Sequence, residues 1–264
     1  MRIPILMYHA VSDDPSAATR GLSVRPGMLA AQLAILQAEN FTPLSFTGVA
    51  RAIHNGDALP ERPIVLTFDD GYADFHREAL PLLAGYGFPA TVFVTTGWVA
   101  DAGADAAGTP LDRMLSWSQI DELHSAGIEV AAHSHSHAQL DQLPAGPLES
   151  ELRTSKSLLE DRLGREVVTL AYPYGYSSPR VRDAVRAAGY RHAAAVSNSI
   201  LRAGGDPLAL PRLTIRRSTD LQTFRRIVHG DGIARVFLTD RVLTKGFAVV
   251  RRSRYAASWI RGYG

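Results

Sequence analysis

Apolar and polar positions follow two rhythms along this chain. Short runs that are apolar at almost every position occupy 3–7, 64–68, 90–95, 128–132, 167–172, 192–196 and 208–215, with 43–46 a weaker example. Between them lie longer stretches whose apolar residues recur every three or four positions. The first rhythm predicts strands and the second amphipathic helices. Helices are predicted over 26–39, where Leu29, Leu33 and Leu36 share a face, and over 74–86, 116–126, 147–163 and 179–188. Gly127, Gly164 and Gly189 stand where helices should stop.

Strands that are apolar throughout are buried on both faces, and their alternation with helices implies a parallel α/β architecture. Seven or eight such strands, without a glycine-rich dinucleotide turn, predict a distorted (β/α)7-8 barrel rather than an open sheet. A length of 264 residues suits one such unit. The barrel is assigned to residues 1–240 and a basic appendage to 241–264. Residues 100–110, rich in Ala, Gly and Asp, read as a mobile loop, and the chain shows no convincing repeat.

Composition narrows the chemistry. Without cysteine there is neither a disulfide nor a thiolate metal site, so any zinc must be held by His, Asp or Glu. The formal charge of +2 hides an asymmetry, because 241–264 carries six basic side chains and no acid. Such a tail favours a polyanion or a membrane surface as its partner. The opening MRIPILMYH has too short an apolar run for a secretory leader, broken by Pro4, so a cytoplasmic location is expected. No segment approaches the roughly 20 apolar residues of a membrane span.

Three strand ends carry the candidate chemistry. PIVLTFDDGY ends in Asp69 and Asp70, which would point to opposite faces if both were extended. Gly71 permits a bend that could bring both into one pocket; alternatively Asp70-Gly71 is a plain turn and one aspartate caps a helix. A second strand delivers HSHSH, residues 133–137. As a strand its three histidines would share a side; on a helical turn only His133 and His137 would. A third delivers Tyr172, Pro173, Tyr174 and Gly175. In a barrel all three ends open at one mouth, where active sites sit. One carboxylate and two imidazoles make a three-ligand site with an open position. Bound water there reaches a pKa near ~7, and the second carboxylate is free to take its proton.

TFDDG, HSxxH and YPYG together resemble the polysaccharide deacetylase family, carbohydrate esterase family 4, over roughly residues 3–215. That resemblance implies a distorted (β/α) barrel and divalent-metal-dependent removal of N-acetyl groups from a glycan. It implies Asp69 as general base, Asp70, His133 and His137 as metal ligands, and His135 at a variable position as a bystander. The backbone N–H of Tyr174 would help hold the oxyanion, with Tyr172, Pro173 and the Tyr174 ring walling a sugar pocket. A tyrosine serving only the core is the alternative. Zinc suits the donor set; cobalt, nickel or manganese could serve.

Two departures stand out. Ala171 occupies the place of the family's third-motif arginine, and Leu210-Pro211-Arg212 that of its last motif, whose histidine is the general acid. Arginine cannot exchange that proton. Arg212 either replaces the missing arginine, keeping Asp69 ionised beside the substrate pocket, or is structural. The acid role then falls to His9, ahead of His135 and of Asp69 returning its proton; a structural His9 is the alternative. ILMYHAV resembles a subset of the family, whereas the family's tryptophan motif has no clear counterpart. Competing readings are a deformylase or other small-amide hydrolase on a lipid-linked sugar, and a catalytically weak glycan-binding protein. Nucleic acid has only the tail behind it and is not expected as a partner. The tail could instead give peripheral membrane contact, or pack on the barrel.

Overall fold

The computed structural model describes residues 2–202 and 204–240. Its parallel strands are β1 (Ile5–Tyr8), β2 (Thr42–Leu44), β3 (Pro63–Phe68), β4 (Thr91–Val94), β5 (Glu129–Ala132), β6 (Thr169–Ala171), β7 (His192–Val196) and β8 (Leu210–Thr214). Helices α1 (Pro26–Ala38), α2 (Phe46–Asn55), α3 (Leu80–Tyr86), α4 (Trp117–Ser125), α5 (Ala145–Leu163) and α6 (Pro179–Ala187) lie between them. After β8 come α7 (Leu221–His229) and α8 (Ile233–Val236). Strands follow the order β1-β8-β7-β6-β5-β4-β3, and β3 pairs back onto β1, so seven strands close a ring. β2 is extra. It flanks the first half of β3 through Pro63, Ile64 and Val65, while β4 takes the second half from Thr67 onward.

Side chains of the ring alternate between two buried faces. Leu6, Tyr8, Leu66, Phe68, Val92, Val94, Val130 and Leu170 pack outward with the helices, against Leu29, Leu33 and Leu36 of α1 and Leu152 and Leu159 of α5. Each fully buried leucine contributes about 1.5–3 kcal/mol. Ile5, Val65, Phe93, Ala131, Ala171, Ala194 and Leu210 form a separate cluster inside the ring. Phe46, at the start of α2, closes its lower end, edge-on to Phe93 at 5.6 Å between centroids. Burial on both faces is why these strands read as unbroken apolar runs.

That parity also positions the chemistry. Continuing inward from Val65, β3 presents Thr67 and then Asp69. β5 continues from Ala131 to His133, and β8 from Leu210 to Arg212 and Thr214. The inward alanines of β5, β6 and β7 are small, which leaves the ring interior to Phe93 and to the Arg212 guanidinium, 5.3 Å from that ring.

Some elements differ from the sequence expectation. Residues 74–86 do not form one α-helix: Phe75–Ala79 is a π-helical turn leading into α3. Residues 100–110 are fastened rather than loose. Ala100 N–H donates to Leu115 O at 2.9 Å, Ala107 N–H to Gly97 O at 3.0 Å, and Gly97 N–H to His135 O at 2.7 Å. The appendage 241–264 lies outside the described residues. Among the described residues no helix is long and apolar enough to cross a membrane.

Candidate metal centre

Asp69 follows β3 with its carboxylate inside the ring, 3% exposed. By the same parity Asp70 would face the helices, and it does not, because its backbone turns into the left-handed region at φ 75°, followed by Gly71 at 85°. The bend the sequence places at Gly71 therefore begins one residue earlier, on a residue with a side chain. Such a conformation costs on the order of 1–3 kcal/mol and persists where its surroundings hold it. Here they do: Thr95 N–H donates to Asp70 O at 3.3 Å and Leu115 N–H to Gly71 O at 2.9 Å.

HSHSH is neither strand nor helical turn. His133 is anchored to β4 by its N–H on Val94 O at 2.8 Å. Ser134 and His137 then take left-handed φ values of 63° and 62°, which swing His137 back beside His133. Ser134 Oγ accepts from His137 N–H at 3.2 Å. Glu151 of α5 supports the outside of this loop, accepting from the N–H groups of His135 and Ser136 at 3.0 and 2.8 Å and from Ser136 Oγ at 2.5 Å. The His135 ring is turned toward Thr96, with Nδ1 and Oγ1 3.0 Å apart, and does not line the cavity.

Asp70 Oδ1 lies 3.2 Å from His133 Nε2 and 3.3 Å from His137 Nε2. The ligand atoms of these three residues are all within 4.8 Å of one another. His133 Nδ1 is 2.9 Å from Ala171 O, and a carbonyl only accepts, so Nδ1 carries the proton. A neutral His133 thus turns the lone pair of Nε2 on a buried carboxylate oxygen that no hydrogen bond satisfies. Two acceptors at that distance require a cation between them. Either a proton or a metal ion meets the requirement, and two imidazoles with a carboxylate form a donor set suited to a divalent metal. Burial would raise the Asp70 pKa, yet facing His133 and His137 hold it well below the usual carboxylate range. His133 is moved up: burial opposes its charge, and Asp69 and Asp70 outweigh burial.

Arg212 is fully buried beneath Asp69. Its two terminal nitrogens grip Asp69 Oδ1 and Oδ2 at 2.5 and 2.7 Å, a bidentate pair, and Nη1 also donates to Thr67 Oγ1 at 3.1 Å. Burial would make Asp69 harder to ionise; the Arg212 charge, helped by His133, overcomes this and lowers its pKa. Arg212 does not line the cavity and reaches the site only through Asp69.

Above these groups is a cavity of about 340 Å3. His9 lines it, half-buried, with Nδ1 unpartnered. Burial lowers the His9 pKa even though Asp70 and Asp69 pull the other way. Tyr174, at φ 60°, stands at the mouth with its ring 4.8 Å from that of His137 and stacked on Tyr176 at 6.0 Å. Gly175 must be glycine, since a Cβ there would meet Val196 at 2.4 Å. Tyr172 lines the cavity too, and its hydroxyl donates to Leu208 O at 2.7 Å. Pro173 is buried and does not line the cavity.

Other residues of the site were missed in the sequence. The Trp98 ring lies tilted against that of His137, 4.7 Å between centroids, and the Tyr72 hydroxyl meets Asp70. On the opposite wall Asn198 Oδ1 accepts from both N–H and Oγ1 of Thr214, at 3.0 and 2.9 Å, so its amide is pinned at the cavity. Tyr72 directly follows DDG and was legible; Asn198 and Trp98 carried no local signal.

Fold and site together define an α/β barrel with a candidate three-ligand metal centre at the C-terminal mouth of its strands. The chain belongs to the polysaccharide deacetylase family, whose model matches residues 56–193. That span holds Asp69, Asp70, His133, His137 and Tyr174, and leaves out His9 and Arg212. The chain is similar to the poly-beta-1,6-N-acetyl-D-glucosamine N-deacetylase of Escherichia coli (strain K12), 33% identical over 150 residues, covering 54% of this chain and 22% of that protein. The enzyme of the same name from Staphylococcus aureus (strain N315) is 24% identical over 166 residues, covering 60% and 56%. This chain therefore spans well under two thirds of either relative. Among solved structures, Streptococcus pyogenes deacetylase PplD, in complex with acetate, superposes with a TM-score of 0.77 at 27% identity, covering 86% of this chain and 98% of that one.

Proposed function

We propose that this protein is a metal-dependent hydrolase that removes N-acetyl groups from an amino-sugar glycan or glycan precursor. The observation that carries the reading is the buried Asp70 oxygen between two imidazole nitrogens, with Asp69 beside it in the same cavity. Relatives named as N-deacetylases of a poly-N-acetylglucosamine support the substrate class. Asp70, His133 and His137 would hold the metal, zinc by preference, with cobalt, nickel or manganese able to replace it. Bound there, a divalent ion would acidify water and polarise the acetyl carbonyl.

Asp69 is the general base, kept ionised by Arg212. The Tyr174 backbone N–H is the oxyanion donor, and its ring with Tyr176 offers a stacking face for a sugar. The proton taken by Asp69 must end on the leaving nitrogen. Arg212 cannot carry it, since a guanidinium does not exchange protons at accessible pH. His9 faces the cavity and its lowered pKa leaves it neutral, so it would act as acid after receiving a proton within the site.

Acetate release from N-acetylglucosamine oligosaccharides by the zinc-loaded protein tests the reading. Asp69→Asn should lower turnover by roughly 10²–10⁴-fold while oligosaccharide binding persists. A metal-loaded protein that binds these saccharides and releases no acyl group from N-acetyl or N-formyl forms would be a binding protein instead.

A further inference from the structure

Asn198 lines the cavity on the wall away from the metal centre and is only 4% exposed. It is tied down through both backbone and side chain. Its N–H donates to Arg212 O at 3.0 Å, and its Oδ1 accepts from the N–H and Oγ1 of Thr214 at 3.0 and 2.9 Å. A backbone N–H can only donate, so the amide oxygen must face Thr214 and the orientation of the side chain is settled. Both lone pairs of Oδ1 are thereby used. The NH2 group makes no hydrogen bond among the described residues. An amide buried and held in this way, with its donor half unmet beside a cavity, is arranged to meet an acceptor brought in from outside.

Charged groups of the site are already answered, Asp69 by Arg212 and Asp240 by Arg216, the latter Nη2 to Oδ1 at 2.7 Å. A neutral ligand on this side meets an aromatic face and an amide donor. The two are neighbours, because Gly175, directly after Tyr174, lies against Val196, two residues before Asn198. A pyranose stacked on the Tyr174 ring turns its equatorial hydroxyls outward in its own plane, toward its edge. We propose that Asn198 is a specificity-determining residue whose NH2 group donates to a ring hydroxyl oxygen of the saccharide, fixing which way round the sugar lies against Tyr174. The inference rests on the saccharide reading above and deepens it. The Tyr174 N–H and the metal centre, across the cavity, are left for the acetyl carbonyl.

A cycle between protein and ligand tests it without an activity assay. The probes are the methyl β-glycoside of N-acetylglucosamine and its 3-, 4- and 6-deoxy forms, with Kd for the zinc-loaded full chain read by NMR titration. One deoxy form should bind wild type roughly tenfold more weakly than the parent. Asn198→Gly, which suits the left-handed backbone at φ 48°, should erase that difference, so that this form and the parent bind alike. A merely structural Asn198 would weaken all the ligands by one factor and keep their ratios as in wild type, and that result would overturn the inference while leaving the saccharide reading intact. Should Asn198→Gly fail to fold, as judged by circular dichroism, wild type decides alone: a loss confined to one deoxy form supports the contact, and affinities all within about twofold overturn it. Binding of none of the probes would overturn the saccharide reading and this inference with it.

Discussion

Asp69 and Asp70 are neighbours with opposite geometric problems. Asp69 reaches the interior by strand parity and then needs a counter-charge, which Arg212 supplies from across the ring. Asp70 reaches it only by leaving the strand conformation. A third acid nearby is treated differently. Asp74 is 9% exposed, and its Oδ1 has no hydrogen-bond partner. Burial, with Asp112 adding repulsion, pushes its pKa up to about 6. The folded state therefore holds this proton more tightly than the unfolded chain, so stability is lost as pH rises from about 4 through 6. Asp74→Asn should leave stability near pH 4 unchanged and raise it at pH 8 by on the order of 2–3 kcal/mol. Urea denaturation of both proteins at the two pH values would show it; an equal difference at both would mean that Asp74 is not ionising at a cost.

At the scale of elements, the decisive piece is the loop from β5 into α5. His133 is set by the strand; His137 depends on the left-handed residues and on Glu151. Glu151→Ala removes the acceptor for both loop N–H groups. Zinc affinity, measured by competition with a chromophoric chelator, should fall by roughly 10–100-fold, the usual effect of losing a supporting partner, while the barrel stays folded. Affinity unchanged by this substitution would show that Ser134 and the ring contacts alone place His137. The family resemblance singled out His133 and His137 among the three histidines, and nothing in the sequence marked Glu151, because a solvent-side glutamate on a helix looks the same whether or not a loop folds over it.

On the scale of the molecule, the three proposed ligands come from two strand ends and a loop that meet only when β3, β4 and β5 are assembled in the fold. A metal bound to them binds the folded state alone and should stabilise it, by about 2.7 kcal/mol at a hundredfold excess over Kd. Zinc should raise Tm by several degrees, a chelator should reverse this, and Asp70→Ala should abolish the shift. A shift that survives in Asp70→Ala would place the ion elsewhere.

Much of this was readable in advance. Seven strands, four of the five expected helices and the strand ends bearing Asp69-Asp70 and HSHSH follow from repeating apolarity and from polar groups at strand ends, which are properties of the local chain; the fifth helix, expected over 74–86, is π-helical in its first part. α2 was missed because its first residue completes an apparent strand at 43–46, and α7 because it follows the last strand. Chain-local pattern settled the architecture and which strand ends bear the chemistry. Closure of the ring decided the rest: that Asp70 bends inward, that Arg212 answers Asp69, and that His133 turns a lone pair toward a carboxylate. Those are relations between residues far apart in sequence, and no local periodicity encodes the distance between them.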